Sequence, residues 1–143
     1  MILEEFDENR QAIINPEDLV EALPNFPETV VSCFARDTFK RMLADFQHEL
    51  LASTSMANIE IPIYKVFVEE REIALFNAPV GASACVAILE DLIAFGMKKL
   101  VLFGTCGVLN EDIKETSIIV PHTAIRDEGT SYHYLPASDE IEV

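Results

Sequence analysis

The sequence is poor in basic residues, and this scarcity excludes the first classes of function. Ten lysine and arginine residues stand against 25 aspartate and glutamate residues, which gives a formal net charge of −15 with neutral histidines. A surface with this balance repels nucleic acid polymers and anionic membranes. A small anion would therefore need a local site made of a few arginines and backbone N–H groups. We expect neither a nucleic acid partner nor a membrane partner.

Cysteine is also scarce, and long apolar runs are missing. Cys33, Cys85 and Cys106 are odd in number, lack the spacing of metal ligands and lie among apolar or small residues. We therefore predict buried, reduced thiols, with no metal and no cofactor. No apolar run approaches the roughly 20 residues of a membrane span. The acidic N-terminus lacks the basic flank of a signal peptide, so the expected location is the cytoplasm.

Apolar residues make up 50% of the 143 positions, which is enough for one domain over 1–143 with a sizeable core. Apolar spacing predicts helices that alternate with strands, including a hairpin. This order is typical of a three-layer αβα sandwich with a mixed β-sheet, an α/β fold. The predicted helices are a short one that ends before Pro24, one from Arg36 to about Leu51, and Ala82–Phe95. The predicted strands are Thr29–Phe34, Ile59–Val68, Glu72–Asn77, Leu100–Phe103 and Ser117–Val120, with a loop at Ala52–Asn58 and an acidic tail at Ala137–Val143.

The richest stretch for function is Gly96–Pro136. Its apolar strand stops in Gly104-Thr105-Cys106-Gly107, and ligands of open α/β sheets bind at such strand ends because glycine lets backbone N–H groups come close. A polar segment with Arg126 follows a second apolar run. The neighbouring carboxylates could be acid–base groups, although a solvated loop pair is the stronger interpretation. A thiol nucleophile at Cys106 is disfavoured because nothing places a base beside it.

The spaced motifs GTCGVLNEDIKETSIIV and AIRDEGTSYHYLP resemble the nucleoside phosphorylases of the purine and uridine phosphorylase superfamily. Members of that family carry a strand that ends in Gly-Thr or Gly-Ser and a later segment like Gly-x-Ser-x-His. The matching residues here are Gly104, Thr105, Gly129, Ser131 and His133. Ser32–Arg36 has the spacing of the family's phosphate turn, with Ser32 where glycine is usual, and Asn77–Gly81 is similar to its second glycine-containing turn.

This resemblance implies cleavage of the N-glycosidic bond of a nucleoside, with inorganic phosphate as co-substrate and transfer of the pentosyl group. Such chemistry needs charge-assisted hydrogen bonds to phosphate and fixed ribose hydroxyls. The resemblance gives catalytic roles to Arg36, which would hold phosphate, and to Thr105, which would bridge phosphate and ribose. It gives substrate-binding roles to Ser32, Gly81, Gly104, Thr105 and Arg126. It also implies a homo-oligomer, either a dimer or a hexamer.

Two alternatives remain open. Phosphorylases of the family usually carry an arginine at the position of Leu102, and hydrolytic nucleosidases, which use water, also lack it. The resemblance covers a little over half of a family member and omits the Met-Glu segment that binds ribose. Catalysis by this chain alone is therefore not expected, and a non-catalytic binding or assembly module is the second alternative. A dinucleotide-binding domain is disfavoured because Gly104–Gly107 lacks the Gly-x-Gly-x-x-Gly order.

Overall fold

The computed structural model describes residues 4–113 and 118–143. The chain divides into two compact units, one formed by Gln11–Gly104 and the other by Met1–Arg10 with Thr105–Val143. We call them the sheet unit and the small unit and describe each by itself. The expectation of a single domain over 1–143 stays a prediction.

The sheet unit contains three helices and five strands. The helices are α1 (Pro16–Leu19), α2 (Arg36–Asp45) and α3 (Ala82–Phe95). The strands are β1 (Thr29–Cys33), β2 (Gln47–Met56), β3 (Ile59–Val68), β4 (Arg71–Asn77) and β5 (Lys99–Phe103). Within the described residues, no helix is long and apolar enough to cross a membrane.

The five strands form one mixed sheet in the order β2-β3-β4-β1-β5. Strand β1 lies at the parallel end, between β4 and β5, and runs parallel to both. Strands β2, β3 and β4 are joined as antiparallel neighbours. The mixed sheet confirms the predicted fold class.

The helices cover opposite faces of this sheet because side chains alternate along each strand. On one face, Val30 and Phe76 pack in a cluster with Ile88 and Leu92 of α3. On the other face, Cys33 and Leu75 pack in a second cluster with Phe39 of α2. These two layers around one sheet produce the αβα arrangement.

The prediction of a helix to Leu51 and a loop at Ala52–Asn58 was wrong. Helix α2 ends at Asp45, and β2 begins at Gln47. The helical spacing of Phe46 and Leu50 was coincidental, because β2 is stabilised by pairing with β3 along its whole length. A ladder of long-range hydrogen bonds outweighs a weak local helix preference. Ala57, at φ +52°, forms the tight hairpin turn.

Pro62 stands where β3 is not yet paired with β4. The pairing of β3 with β4 begins at Ile63, whereas Pro62 pairs only with Ser53 of β2. A proline cannot donate a backbone hydrogen bond, so this side of the strand is the one that tolerates it.

The small unit contains a two-stranded antiparallel sheet of β6 (Thr123–Ile125) and β7 (Glu140–Glu142), with a 3-10 turn at Ser131–His133. The acidic tail predicted at Ala137–Val143 therefore contains a strand. Of the strand predicted at Ser117–Val120, Ser117 lies outside the described residues, and residues 118–120 are not in a strand. Their apolar character alone gave no pairing partner, whereas β6 and β7 pair over three residues.

The three thiols differ in exposure. Cys33 and Cys85 are buried as predicted, and burial raises the pKa of both thiols above the ordinary value of 9.0. Cys106 is exposed, so its predicted burial was wrong. It lies in the small-residue stretch Gly104–Gly107, which is exposed throughout.

We expect one thiol per native chain to react with a water-soluble disulfide reagent, and three after denaturation. A buried thiol with a raised pKa offers little thiolate to the reagent. The Cys106→Ser variant should show no rapid reaction, and a Cys85→Ser variant should keep it. Rapid labelling of two or more thiols in the native protein would contradict this assignment.

Candidate active site at the ends of three parallel strands

The carboxyl ends of the three parallel strands lie side by side in the sheet unit. Cys33, the last residue of β1, is in register with Asn77 of β4 on one side and with Phe103 of β5 on the other. The turns that follow the three strands therefore start at one edge of the sheet. Ligands of open α/β sheets bind at this kind of edge.

The junction of β1 and β4 is fixed by the carbonyl oxygen of Cys33. It accepts a hydrogen bond from the side-chain amide of Asn77 at 2.7 Å and another from the backbone N–H of Ala78 at 3.0 Å. Both Asn77 and Ala78 are thereby bonded to the end of β1. Hydrogen bonds between two turns restrict their movement, and a binding site requires backbone that is held in this way.

Two helices begin at this edge. Arg36 is the first residue of α2 and is exposed. Gly81 precedes α3 at φ +110°, a conformation that L side chains rarely adopt. The first N–H groups of a helix lack intrahelical partners, and the helix dipole makes this end positive. Both features favour an anion at the edge.

Gly104 follows β5 and lies under an aromatic ring. A Cβ atom at this position would be 3.1 Å from Cδ2 of Phe34, which belongs to the turn after β1. A larger residue at this position would require the ring of Phe34 to shift by a few tenths of an ångström, so glycine suits this close approach of two turns. The ring of Phe34 remains 36% exposed, so it contributes an apolar surface at the same edge.

Ser32 lies one residue before the end of β1, but its side chain is turned into the sheet unit and does not reach the surface of this edge. It is fully buried, and its hydroxyl donates a hydrogen bond to the carbonyl oxygen of Phe76 at 2.9 Å. This hydroxyl stabilises the pairing of β1 with β4.

Thr105 and Arg126 belong to the small unit, in which Thr105 is exposed. The structure thus gathers Arg36, Gly81 and Gly104 at one edge of the sheet unit. The roles predicted for the site residues stay predictions. Sequence reasoning named Asn77 as the start of the second turn but gave its side chain no role, and it did not single out Phe34 within Ser32–Arg36.

Arg126 organises the segment 126–138 of the small unit. It is 94% buried, since its relative exposure is 6%, and its guanidinium lies 4.0 Å from the ring centroid of Tyr132. It makes four side-chain hydrogen bonds, the most that any described residue of this segment makes as a donor. The acceptors are Ser131 Oγ at 2.9 Å, Pro136 O at 2.6 Å, Ser138 Oγ at 2.9 Å and Leu135 O at 3.2 Å.

Glu128 completes this network. Its carboxylate accepts hydrogen bonds from the hydroxyl of Ser131 and from the N–H groups of Thr130 and Ser131. The hydroxyl of Ser131 lowers the pKa of Glu128 below its ordinary value of 4.5, and these N–H groups and the charge of Arg126 act in the same direction. The carboxylate is thus a structural acceptor for its own turn. Asp127 beside it is exposed.

We expect acidification to loosen the segment 126–138 selectively. A carboxylate whose pKa is lowered by folding stabilises the fold above its unfolded pKa and loses this contribution as the pH falls through the folded value. The stabilisation should therefore be complete above about pH 4.5 and decline below it. Amide hydrogen exchange of residues 128–135, measured from pH 6 to pH 3 and corrected for intrinsic rates, checks this. A Glu128→Gln variant should lack the additional acid-dependent loss; if it shows the same loss, Glu128 is not its cause.

One further cavity of the sheet unit does not belong to this edge. It has a volume of about 370 Å³ and lies between the segment 14–20, the end of β2 and the middle of α3. None of its lining residues comes from β1, β4, β5 or the turns after them. Its charged groups are Glu90 and Asp91, and the hydroxyl of Thr54 donates a hydrogen bond to Asp91. An acidic lining disfavours phosphate. Among the described residues, no group of three His, Cys, Asp or Glu side chains could hold a metal ion.

Parallel strands flanked by helices make this chain an α/β protein. Two helix N-termini at the carboxyl ends of these strands favour the binding of an anion there. The family model of the Phosphorylase superfamily matches residues 38–143, which include most of both units. The chain therefore belongs to the Phosphorylase superfamily.

Curated and solved proteins agree with this membership. The chain is 34% identical over 58 residues to purine nucleoside phosphorylase DeoD-type 1 of Vibrio parahaemolyticus, which covers 40% of this chain and 24% of that protein. The fold of the present chain is similar to that of uridine phosphorylase from Vibrio fischeri ES114, at 23% identity and a TM-score of 0.68 over 87% of this chain and 51% of that one. It is also similar to purine nucleoside phosphorylase from Toxoplasma gondii, crystallised with immucillin-H, at 20% identity and a TM-score of 0.67 over 82% and 49%. The chain thus spans about half the length of the solved relatives, and a quarter of the curated one is matched.

Proposed function

We propose that this chain provides the phosphate- and ribose-binding side of a site that cleaves the N-glycosidic bond of a nucleoside with phosphate. Arg36 and the N–H groups at the starts of α2 and α3 hold the phosphate. The turns at Gly81 and Gly104 bring backbone N–H groups close to phosphate and ribose. The role of Thr105 in bridging phosphate and ribose is what the family resemblance implies. The phosphate then attacks the anomeric carbon as the base leaves.

One observation carries this proposal. Cys33, Asn77 and Phe103 are in register, so the strand ends next to Arg36, Gly81 and Gly104 lie at one edge of the sheet. Family membership gives this edge its chemistry, because the matched relatives are named as nucleoside phosphorylases. The chain matches about half of the solved relatives, so we propose binding as its own activity and catalysis as the activity of a complete site.

Hydrolysis is the second candidate, and apolar side chains at the same edge favour it. Leu102 and Phe103 of β5 are each 40% exposed, and Phe34 lies over Gly104. These groups cannot neutralise phosphate. The cationic side chain next to these strand ends is Arg36, the first residue of α2. A site with one cation binds phosphate less tightly than a site with several, and water needs none.

Calorimetry with inorganic phosphate tests the proposal on the chain as it is. The Arg36→Gln variant should bind phosphate roughly 10- to 100-fold more weakly, because a charged hydrogen bond contributes about 1.5–3 kcal/mol. Arg41→Gln is the matched control, since Arg41 is an exposed arginine of the same helix that donates to Thr38. This control removes the same charge and should leave phosphate affinity unchanged.

Three other outcomes separate the alternatives. Binding of a nucleoside without any binding of phosphate would favour the hydrolytic site. Equal losses in the two arginine variants would show that phosphate responds to net charge and not to the strand edge. Binding of neither ligand would overturn the nucleoside proposal and favour an assembly module.

A further inference from the structure

The ring of Phe34 occupies the space beside Gly104 at the end of β5. A Cβ atom on Gly104 would lie 3.1 Å from Cδ2 and 3.7 Å from Cε2 of this ring. Because Phe34 follows β1 and Gly104 follows β5, the ring joins the ends of two neighbouring parallel strands. A glycine lets another group come close to its backbone, and here that group is an aromatic ring. Both residues belong to the sheet unit, so the contact lies entirely within it.

The backbone on both sides of Phe34 is held by hydrogen bonds. The carbonyl oxygen of Cys33 accepts the two hydrogen bonds from the end of β4. The thiol of Cys33 donates to the carbonyl oxygen of Ala35, with 3.6 Å between sulfur and oxygen. The same oxygen of Ala35 accepts from the N–H group of Phe39 at 3.0 Å, which joins the turn to α2. The side chain of Phe34 therefore starts from a fixed turn, as a side chain that orients a ligand must.

Phe34 is not part of the core. Neither of the two apolar clusters of the sheet unit, as its described residues define them, includes this residue. Phe34 is 36% exposed. An aromatic ring gains a large contact area from any apolar group that packs against it. The exposed part of this ring can therefore pack against a ligand at the strand edge.

Charge and apolar surface lie side by side at this edge. Arg36 comes two residues after Phe34, at the start of α2, where an anion is favoured. Inorganic phosphate can use only the charged side of the edge. A phosphate ester of a sugar can use both sides, because the C–H groups of the sugar gain dispersion contacts with an aromatic ring. Ligand sites combine apolar walls with a few polar groups in this way.

We propose that Phe34 sets the ligand specificity of this edge, because its ring packs against the sugar of a pentose 1-phosphate, which the edge then binds in preference to inorganic phosphate. This inference rests on the proposed function. In that reaction, hydrogen phosphate forms a bond to the anomeric carbon, and the N-glycosidic bond breaks with its electron pair on the base. The base takes up the proton that the phosphate gives up. The ester that forms is the pentose 1-phosphate, whose phosphate contacts Arg36 and whose sugar contacts Phe34.

Calorimetry with ribose 1-phosphate and with inorganic phosphate measures this preference on the chain as it is. Phe34→Ala should bind ribose 1-phosphate roughly tenfold more weakly, the scale of one lost apolar contact in a pocket, and should keep its affinity for inorganic phosphate within about twofold. Phe34→Leu retains an apolar side chain and should lose less. Arg36→Gln should weaken the binding of both ligands, because both carry the phosphate group.

Phe46→Ala is the matched control for the loss of an exposed ring. Phe46 is 39% exposed and follows the opposite end of α2, so this variant should bind both ligands like the unchanged chain. Circular dichroism checks that the variants are folded. Nuclear Overhauser contacts between aromatic ring protons and the sugar protons of ribose 1-phosphate give a second measurement. They should be lost in Phe34→Ala and kept in Phe46→Ala.

The outcomes distinguish this inference from the proposed function. If both ligands bind and Phe34→Ala weakens the two equally, or weakens neither, Phe34 does not set the specificity, and the phosphate site stands. Overhauser contacts that persist in Phe34→Ala would overturn the role of this ring in the same way. If neither ligand binds to the unchanged chain, the proposed function fails, and the inference about Phe34 fails with it.

Discussion

Replacing Phe76 with alanine is expected to remove about 3–5 kcal/mol of the free energy of unfolding of the sheet unit. Phe76 is fully buried near the carboxyl end of β4, where it lies between Ser32 of β1 and Ile63 of β3. Its ring packs in the cluster that joins the sheet to α3. The close-packed surroundings cannot collapse fully into the space that the ring leaves. Since small domains have a total stability of roughly 5–15 kcal/mol, this loss is large.

Urea denaturation followed by circular dichroism measures the effect of Phe76→Ala. Phe46→Ala serves as control, because Phe46 follows α2 and is 39% exposed; it should lose roughly 1 kcal/mol or less. A consequence for the candidate site follows, since Phe76 pairs with Ser32 one residue before the carboxyl ends of β1 and β4. Amide exchange should therefore accelerate at the ends of β1 and β4 in Phe76→Ala. Equal stabilities of the two variants would contradict the assignment of Phe76 to the core.

Replacing Arg126 with methionine is expected to abolish the folded arrangement of segment 126–138 without unfolding the sheet unit. Methionine keeps an apolar side chain over Tyr132 but makes none of the four hydrogen bonds of the guanidinium. Each hydrogen bond to a charged group contributes about 1.5–3 kcal/mol, and the carbonyl oxygens left behind are without their donors. A combined loss of roughly 3 kcal/mol or more exceeds what three residue pairs between β6 and β7 can offset.

Hydrogen exchange and limited proteolysis locate the effect of Arg126→Met. Amides of residues 123–142 should lose protection, and cleavage should appear within segment 126–138. Arg126→Lys should give nearly the same result, because an ammonium group cannot reach acceptors spread over the plane of a guanidinium. Arg41→Met controls for the loss of one positive charge. Unchanged protection of residues 123–142 in Arg126→Met would refute the organising role of this residue.

Arg126 and Ser32 show why the sequence indicated the family and the strand edge more readily than the contacts of each side chain. Arg126 was noticed as a polar residue in a matched segment, yet nothing in its neighbourhood along the chain shows that its acceptors lie 5 to 12 positions away. Ser32 was noticed by its spacing to Arg36. Its burial depends on the pairing of β1 with β4, which is separated from it by 44 positions.

The same contrast explains the errors in secondary structure. Strand β3 and helix α3 were predicted with their observed bounds, because their apolar spacing and flanking turns are strong local signals. Strand β2 was wrongly predicted as helix and loop. Nine of its residues pair with β3, and this pairing, rather than its own apolar pattern, decides its conformation. Strand β7 was missed for the same reason, since it is three residues long and exists through its partner β6.

The amino-acid sequence by itself determined the α/β class, the order of most elements and the position of the glycine turns, because these depend on spacing and composition within short stretches. It also determined the family through its spaced motifs. Only the tertiary structure decided the burial of Ser32 and the strand order that brings Cys33, Asn77 and Phe103 into register. Those features depend on contacts between residues that are distant along the chain, and the free energy of such contacts is set by which surfaces meet after folding.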